Sequence, residues 1–156
     1  MMAGASRLEG LIAAAHDRAP DARCTLLREI TDIIILQQNQ FREAELQHVD
    51  VILSLLLREA SPALRREIAE RLADWPGAPK GVITALARDG INVADPILRR
   101  SQTLSDEELI AIVREKGPTH MKAAARRHNL GEPLAEVLAE LGDEETLVCL
   151  AKNQRA

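Results

Sequence analysis

The sequence predicts an all-α protein, a short α-solenoid in which two-helix units of about 26 residues repeat along the back half of the chain. Three observations lead to this prediction. Aromatic residues make up only 1% of the chain, so the core must be built from Leu, Ile, Val and Ala, and the runs typical of strands are missing. Apolar residues recur at the i, i+3, i+4 spacing of a helix. Proline, glycine and serine interrupt that pattern at regular intervals.

Composition narrows the class of protein further. The chain has 156 residues, which suits one domain with its own core. Its net charge of −4 argues against a chain that binds polyanions over its whole surface, although it leaves room for a local basic patch. Cys24 and Cys149 lie in apolar helical patterns, which indicates buried free thiols and fits a cytoplasmic location. No apolar run is long enough to span a membrane, so no membrane partner is expected.

Three apolar helices are predicted near the N-terminus, over residues 6–16, 20–36 and 42–59. A strand is the alternative for residues 33–36, but the upstream period favours a helix. Helices that are apolar on nearly every side are buried on several sides. We therefore assign residues 1–60 to an N-terminal cap or dimerisation region. The repeat region follows at 61–156 in the same compact domain.

Homodimerisation is one way to cover so much apolar surface near the N-terminus. In a domain of this size, such helices lie either at the centre of the fold or at a subunit interface. The sequence leaves both explanations open. The candidate interface residues are Ile30, Ile33, Ile34, Leu46, Val49, Ile52, Leu53 and Leu56.

From residue 61 onward, signals for helix starts and ends follow one another regularly. Ser105 followed by Glu108 is a capping-box pattern, and Pro96 falls within or at the start of a short helix. Glycines at helix ends are explained by the backbone conformation that a helix terminus requires. The boundaries predicted from these signals are Ser61-Pro62, Pro79, Ser105, Gly117-Pro118, Gly131 and Gly142.

A register of about 26 residues connects these helices without gaps. The blocks run over 79–104, 105–130 and 131–156. The clearest apolar columns are Leu86, Ile112 and Leu138 in the first helix of each unit, and Leu98, Ala124 and Leu150 in the second. A single helix pair cannot bury its own apolar face, whereas stacked pairs share a continuous core. The alternative is a plain helical bundle with coincidental spacing.

The segments 72–73, 78–79, 86–89, 93–94, 96–101 and 104–109 form a pattern of fixed order and spacing. This pattern resembles a bacterial family, domain of unknown function number 2336, which is common in alphaproteobacteria, and the resemblance covers about residues 45–156. It implies HEAT-like helical repeats and carries over no catalytic residue. Members of that family are usually longer. This chain is therefore either the N-terminal part of a longer protein or a short protein with a dimer-capped end.

The sequence contains no recognisable catalytic or metal-binding motif, so we expect neither enzyme activity nor a cofactor. The histidines are His16, His48, His120 and His128, and none has the spacing of a metal site. Capping or solvent-facing roles suit them better. Acidic clusters at 106–108 and 143–145 lie at helix starts, where carboxylates favour the helix dipole.

Basic residues form the most suggestive surface feature. Arg100, Arg126 and Lys152 occupy one column of successive units, and Arg99 and Arg127 flank it. In a solenoid the residues of one column line up along one face, so these cations could bind an extended acidic partner. The alternative is that they stabilise the C-termini of the second helices through the helix dipole.

These observations favour a protein–protein interaction scaffold in bacterial signalling or regulation. Nucleic-acid binding through the basic column is the alternative, opposed by the acidic balance and by the shortage of aromatic side chains for base stacking. A small-ligand sensor with a groove between repeats is the third hypothesis. The expected partner is a protein, with a second copy of the chain or a nucleic acid as the alternatives.

Overall fold

The computed structural model describes residues 20–37 and 40–154, and within them the chain forms nine α-helices and no strand. This confirms the all-α prediction for that part of the chain, whereas the helix predicted over 6–16 lies outside the described residues. None of the nine helices is both long and apolar enough to cross a membrane. In chain order they are α1 (Pro20–Leu36), α2 (Glu43–Glu59), α3 (Pro62–Ala73), α4 (Lys80–Ala87), α5 (Ile91–Arg100), α6 (Asp106–Lys116), α7 (Pro118–Ala125), α8 (Glu132–Leu141) and α9 (Glu144–Gln154).

Helix starts coincide with the capping signals in the sequence. Ser61 precedes α3, and its hydroxyl accepts a hydrogen bond from the N–H of Leu64 at 3.3 Å. Ser105 precedes α6 and accepts from the N–H of Glu108 at 3.3 Å, while its hydroxyl donates to the Glu108 carboxylate at 3.1 Å. Such a side chain satisfies an amide that the first helical turn leaves without a partner. The cap predicted at Ser105 is confirmed.

Two local questions raised by the sequence have clear answers. Helix α1 continues to Leu36, so residues 33–36 are helical and do not form a strand. Pro96 lies inside α5.

Gly117 alone separates α6 from α7. It has φ 90° and ψ −155°, a conformation that essentially only glycine adopts. The sharp turn between these two helices therefore depends on this glycine.

The helices pack as two series of neighbours. In the first series, α3 packs against α1, α5 against α3, α7 against α5, and α9 against α7. In the second, α2 packs against α4 and α6 against α8. The ion pairs Lys80–Glu108 at 2.6 Å and Arg88–Glu115 at 3.5 Å join α4 to α6. Helices α4, α6 and α8 also pack against the helices that follow them, α5, α7 and α9.

The apolar columns of the sequence register lie in the core. The buried members are Leu86, Ile112 and Leu138 in one column, and Leu98, Ala124 and Leu150 in the other. All six belong to one cluster of buried side chains that extends from α1 to α9. The positions that the 26-residue register places in these two columns are therefore buried in all three blocks.

Most residues assigned to a dimer interface lie in the core of the single chain. Ile33 and Leu46 are half-buried, and the buried ones are Ile30, Ile34, Val49, Ile52, Leu53 and Leu56. Helical periodicity predicts that a face is covered but does not specify whether the same chain or a second one covers it. Among the described residues of this region, the large apolar side chains that stay exposed are Leu36, Val51 and Leu55.

Candidate binding surface

Arg127 is a buried cation just after α7. The residue is 5% exposed, and its two terminal amino groups donate to the carbonyls of Leu98 and Ser101, each at 2.7 Å. These carbonyls lie at the end of α5, where the last backbone acceptors have no partner within the helix. Burial lowers the pKa of the Arg127 guanidinium, and the charge of Asp106 acts in the opposite direction. Arg127 therefore joins α7 to α5 beneath the surface.

Two other side chains make the same kind of contact between helices. Asn153 donates from Nδ2 to the carbonyls of Ala125 at 2.9 Å and Arg127 at 2.8 Å. Arg100 of α5 donates to the carbonyl of Glu70 at 3.0 Å, near the end of α3. In each case a side-chain N–H donates to carbonyls at or just after the C-terminal end of the helix two earlier in the chain. Arg100 and Arg127, both predicted to meet a partner, are occupied in joining helices.

The other predicted cations lie closer to solvent. Arg99 is half-buried, and its Nε donates to the carboxylate of Asp95 one turn earlier, at 2.9 Å. Arg126 and Lys152 are exposed. Within the described part of the chain, neither of these two side chains forms a hydrogen bond or an ion pair. Of the predicted basic column, Arg126 and Lys152 are therefore the members whose charge is available to a partner.

A groove of about 290 Å³ lies between α5, α7 and the turn that precedes α9. Its apolar lining includes Ile91 and Ala123. Its charged lining consists of Asp95, Lys122, Arg126, Asp143 and Glu145. The structure thus places Arg126 beside four charged groups, most of them acidic, and not at the centre of a basic patch.

Hydrogen bonds hold two of these charges in place. Lys122 donates to the carboxylate of Glu145 at 2.9 Å, and this hydrogen bond raises the pKa of Lys122. Asp143 accepts from the N–H of Thr146 at 2.9 Å and from its hydroxyl at 2.8 Å. These bonds lower the pKa of Asp143. Both groups are therefore ionised at neutral pH, and the groove carries fixed charges of both signs.

His120 has a packing role. It is buried, and with its proton on Nε2 it donates to the carbonyl of Asp89 at 2.9 Å, just after α4. The hydroxyl of Thr119 lies 3.3 Å from Nδ1 and can donate to it. Desolvation lowers the pKa of His120, which favours the neutral ring. Among the described residues, no group of three or more His, Cys, Asp or Glu side chains could hold a metal ion.

Asp50 has a structural role that the sequence did not single out. Its Oδ1 accepts a hydrogen bond from the N–H of Val82 at 2.8 Å, so a carboxylate of α2 caps the first turn of α4. A Cβ added to Gly81 would collide with this carboxylate. In the sequence, only the glycine at position 81, in the first turn of a helix, indicated a close contact. Asp50 itself looks like any polar residue on the exposed face of an amphipathic helix.

A known protein family resembles the part of the chain that contains most of this surface. The model of one protein family, described as an uncharacterised protein conserved in bacteria (DUF2336), matches residues 93–156. This stretch begins in α5 and includes α6 to α9, and it is less than half of the chain. The match is to the family that the sequence pattern resembles. No curated protein and no solved structure significantly matches the chain.

Proposed function

We propose that this chain is a non-catalytic protein–protein interaction scaffold, built as a short α-solenoid of HEAT-like two-helix units. The successive packing of α3, α5, α7 and α9 supports the stacked arrangement. So do Arg127 and Asn153, which reach back to the helix one unit earlier. Stacked helix pairs leave an extended face on which a partner can lie. We place this scaffold in the signalling or regulation of a bacterial cytoplasm, and the match of residues 93–156 to a family of uncharacterised bacterial proteins supports the bacterial part of this proposal.

The observation that carries this proposal is the mixed-charge groove beside Arg126. Arg126 has no partner among the described side chains, and it lines a groove that also has an apolar lining. A protein segment can supply a carboxylate to Arg126 and an apolar side chain to Ile91 at the same time. A chain of phosphates meets repulsion from Asp95 and Asp143 in the same groove. The groove therefore suits a peptide segment better than a polyanion.

Nucleic-acid binding is the second candidate, favoured by the exposure of Arg126 and Lys152 on successive units. The two candidates respond differently to salt. For duplex DNA, the logarithm of the binding constant falls with the logarithm of salt concentration by about 0.9 for each phosphate contacted. Titration of labelled DNA and RNA at several salt concentrations measures this slope. Two results together would favour nucleic-acid binding over the scaffold. The affinity would fall with salt at such a slope, and Arg126→Glu would weaken the binding.

The test of the scaffold compares two arginines at the ends of neighbouring helices. The full chain, Arg126→Glu and Arg114→Glu are used as baits in the native host, and captured proteins are quantified by mass spectrometry. Arg114 is exposed in the last turn of α6, so its reversal has a similar effect on the helix dipole. We expect a specific protein that Arg126→Glu loses and Arg114→Glu retains.

The captured protein is then purified, and its affinity for the three chains is measured by calorimetry. We expect Arg126→Glu to weaken binding by about ten-fold or more, because a charge pair becomes a repulsive one. Equal affinity of all three chains would show that the groove is not the binding site. If no protein is captured specifically by the unaltered chain, the scaffold proposal fails.

A further inference from the structure

The last helix pair, α8 and α9, leaves an apolar face uncovered. Leu141 is 49% exposed, Leu147 42% and Val148 47%. They are half of the large apolar side chains that the described part of the chain exposes, and they lie close together in sequence. A concentration of exposed apolar side chains marks an interaction surface more often than a single one does.

The preceding unit shows what covers the equivalent face. Met121 and Ala125 of α7 are buried, and α7 packs against α9. About 26 residues further on, the corresponding residues of α9 are Leu147 and Ala151, and both are exposed. In a stack of helix pairs, each pair covers the face of the one before it. No helix of the described residues follows α9 to do the same for Leu147 and Ala151.

We propose that a second copy of this chain covers this exposed face, in a twofold-symmetric dimer joined through α8 and α9. In such a dimer α9 lies antiparallel to the same helix of the second copy, with Val148 near the twofold axis. A twofold interface brings a residue at the axis against itself and pairs every other residue with a different one. With Val148 at the axis, Glu144 meets Lys152 of the partner subunit.

The charges of α9 favour this pairing. Glu144 lies one turn before Val148 and Lys152 one turn after it, so antiparallel helices place opposite charges side by side at both ends. Both side chains are exposed, and neither has a hydrogen bond or ion pair within the described range. A parallel arrangement would instead set Glu144 against the same residue of the second copy. The face is therefore complementary to itself in one orientation.

This dimer differs from the interface predicted near the N-terminus, whose side chains are mostly buried within the chain. It rests on the stacking of helix pairs that is part of the proposed function, and it does not depend on the groove at Arg126. An isologous contact also closes after two copies, because both copies contribute the same face to it. The expected assembly is a dimer and not a filament.

Sedimentation velocity of the full chain over a range of micromolar concentrations tests the proposal. We expect a dimer that dissociates on dilution. Val148→Glu brings two carboxylates together at the axis, and it should raise the dissociation constant by about ten-fold or more. Val51→Glu is the matched control, since it makes the same change at an exposed valine of α2, and it should leave the dissociation constant unchanged.

Charge reversal gives a second and independent test. Glu144→Lys and Lys152→Glu each set like charges opposite one another, so each should weaken the dimer. The double variant restores opposite charges in reversed order and should return the dissociation constant close to that of the unaltered chain. Such a recovery cannot arise from a loss of folding, and circular dichroism of each variant checks the helix content.

A monomer at every concentration would overturn the proposal. A dimer that Val51→Glu dissociates and Val148→Glu leaves intact would also overturn it, because the interface would then lie on α2. An intact dimer combined with equal partner affinity for the Arg126 and Arg114 variants would refute the proposed scaffold surface alone. The two failures are therefore distinguishable.

Discussion

Arg127 and Ser101 lie 26 positions apart and are joined by a hydrogen bond of 2.7 Å from the guanidinium to the backbone carbonyl. The same separation joins Asn153 to the carbonyl of Arg127, at 2.8 Å. In both cases a side chain donates to a carbonyl just after the C-terminal end of the helix two earlier in the chain. These hydrogen bonds therefore connect α7 to α5 and α9 to α7.

Replacing Arg127 by leucine is expected to lower the free energy of unfolding by about 2–4 kcal/mol, because two buried carbonyls lose their hydrogen bonds. The carbonyls of Leu98 and Ser101 lose their donor, and a buried polar group without a partner costs roughly 1–3 kcal/mol. Urea unfolding followed by circular dichroism measures the change. Arg126→Leu is the control, because Arg126 is exposed, and it should stay within about 0.5 kcal/mol of the unaltered chain. Equal losses in the two variants would contradict the role given to Arg127.

Gly117→Ala is expected to destabilise the chain by about 1–3 kcal/mol, because alanine is strained at φ 90°. Each kcal/mol corresponds to a drop in melting temperature of about 2–4 °C for a chain of this size. Gly90→Ala is the control. Neither glycine has an atom within 4 Å of an added Cβ, and Gly90 has φ −53°. A melting temperature that falls equally in both variants would show that backbone conformation is not the cause.

The buried ring of His120 predicts a loss of stability in mild acid. Burial lowers its folded-state pKa below the ordinary value of 6.5. As the pH falls below 6.5, the unfolded chain takes up a proton at this position before the folded chain does, so the free energy of unfolding decreases. Above that pH both states are neutral, and this contribution is complete.

Urea unfolding at pH 7.5 and pH 5.5 (both test conditions, about one unit either side of the ordinary histidine pKa) measures this effect. The difference in stability between the two conditions should shrink in His120→Gln and persist in His48→Gln, since His48 is exposed. The lowered pKa values of Glu108 and Asp143 act only at more acidic pH, where those carboxylates become protonated. If the difference in stability between the two pH values were unchanged in His120→Gln, another titratable group would be its cause.

Asp50→Ala is expected to lower the free energy of unfolding by about 1 kcal/mol, as loss of a helix cap does. The same variant should make Gly81→Ala less harmful, because the Cβ collides with the Asp50 carboxylate in the unaltered chain. A double-mutant cycle measured by urea unfolding gives this coupling. Gln47→Ala, at an exposed position on α2, should show no coupling to Gly81→Ala. Additive effects for Asp50 and Gly81 would contradict the contact.

Helix boundaries could be predicted from the sequence because their causes are local. Ser61 and Ser105 accept hydrogen bonds from amides three residues later, and that distance is visible in the chain. Pro118 begins α7 and Gly117 ends α6 for equally local reasons. The buried columns at Leu86 and Leu98 follow from periodicity in the same way, since a helix repeats its faces at a known interval.

The candidate site could be predicted only in part. The sequence identified five cations near the ends of second helices, but Arg126 and Arg127 are adjacent and have opposite roles. One is exposed beside the groove, and the other is buried with both amino groups on carbonyls. The rotation of each helix against its neighbour decides which side chain turns inward. That rotation depends on packing between residues far apart in the chain.

The sequence by itself therefore determined the helical class, the helix starts after Ser61, Ser105 and Gly117, and which faces of the helices are apolar, because these depend on interactions within a few residues. Only the tertiary structure decided what covers each buried face. Val49 and Ile52 are covered by the same chain, while Leu147 and Val148 are left open at the end of the last helix pair. All four belong to amphipathic helices, and periodicity alone does not distinguish them. Their difference arises because burial depends on which helix is stacked next to which, and the last pair has no described neighbour.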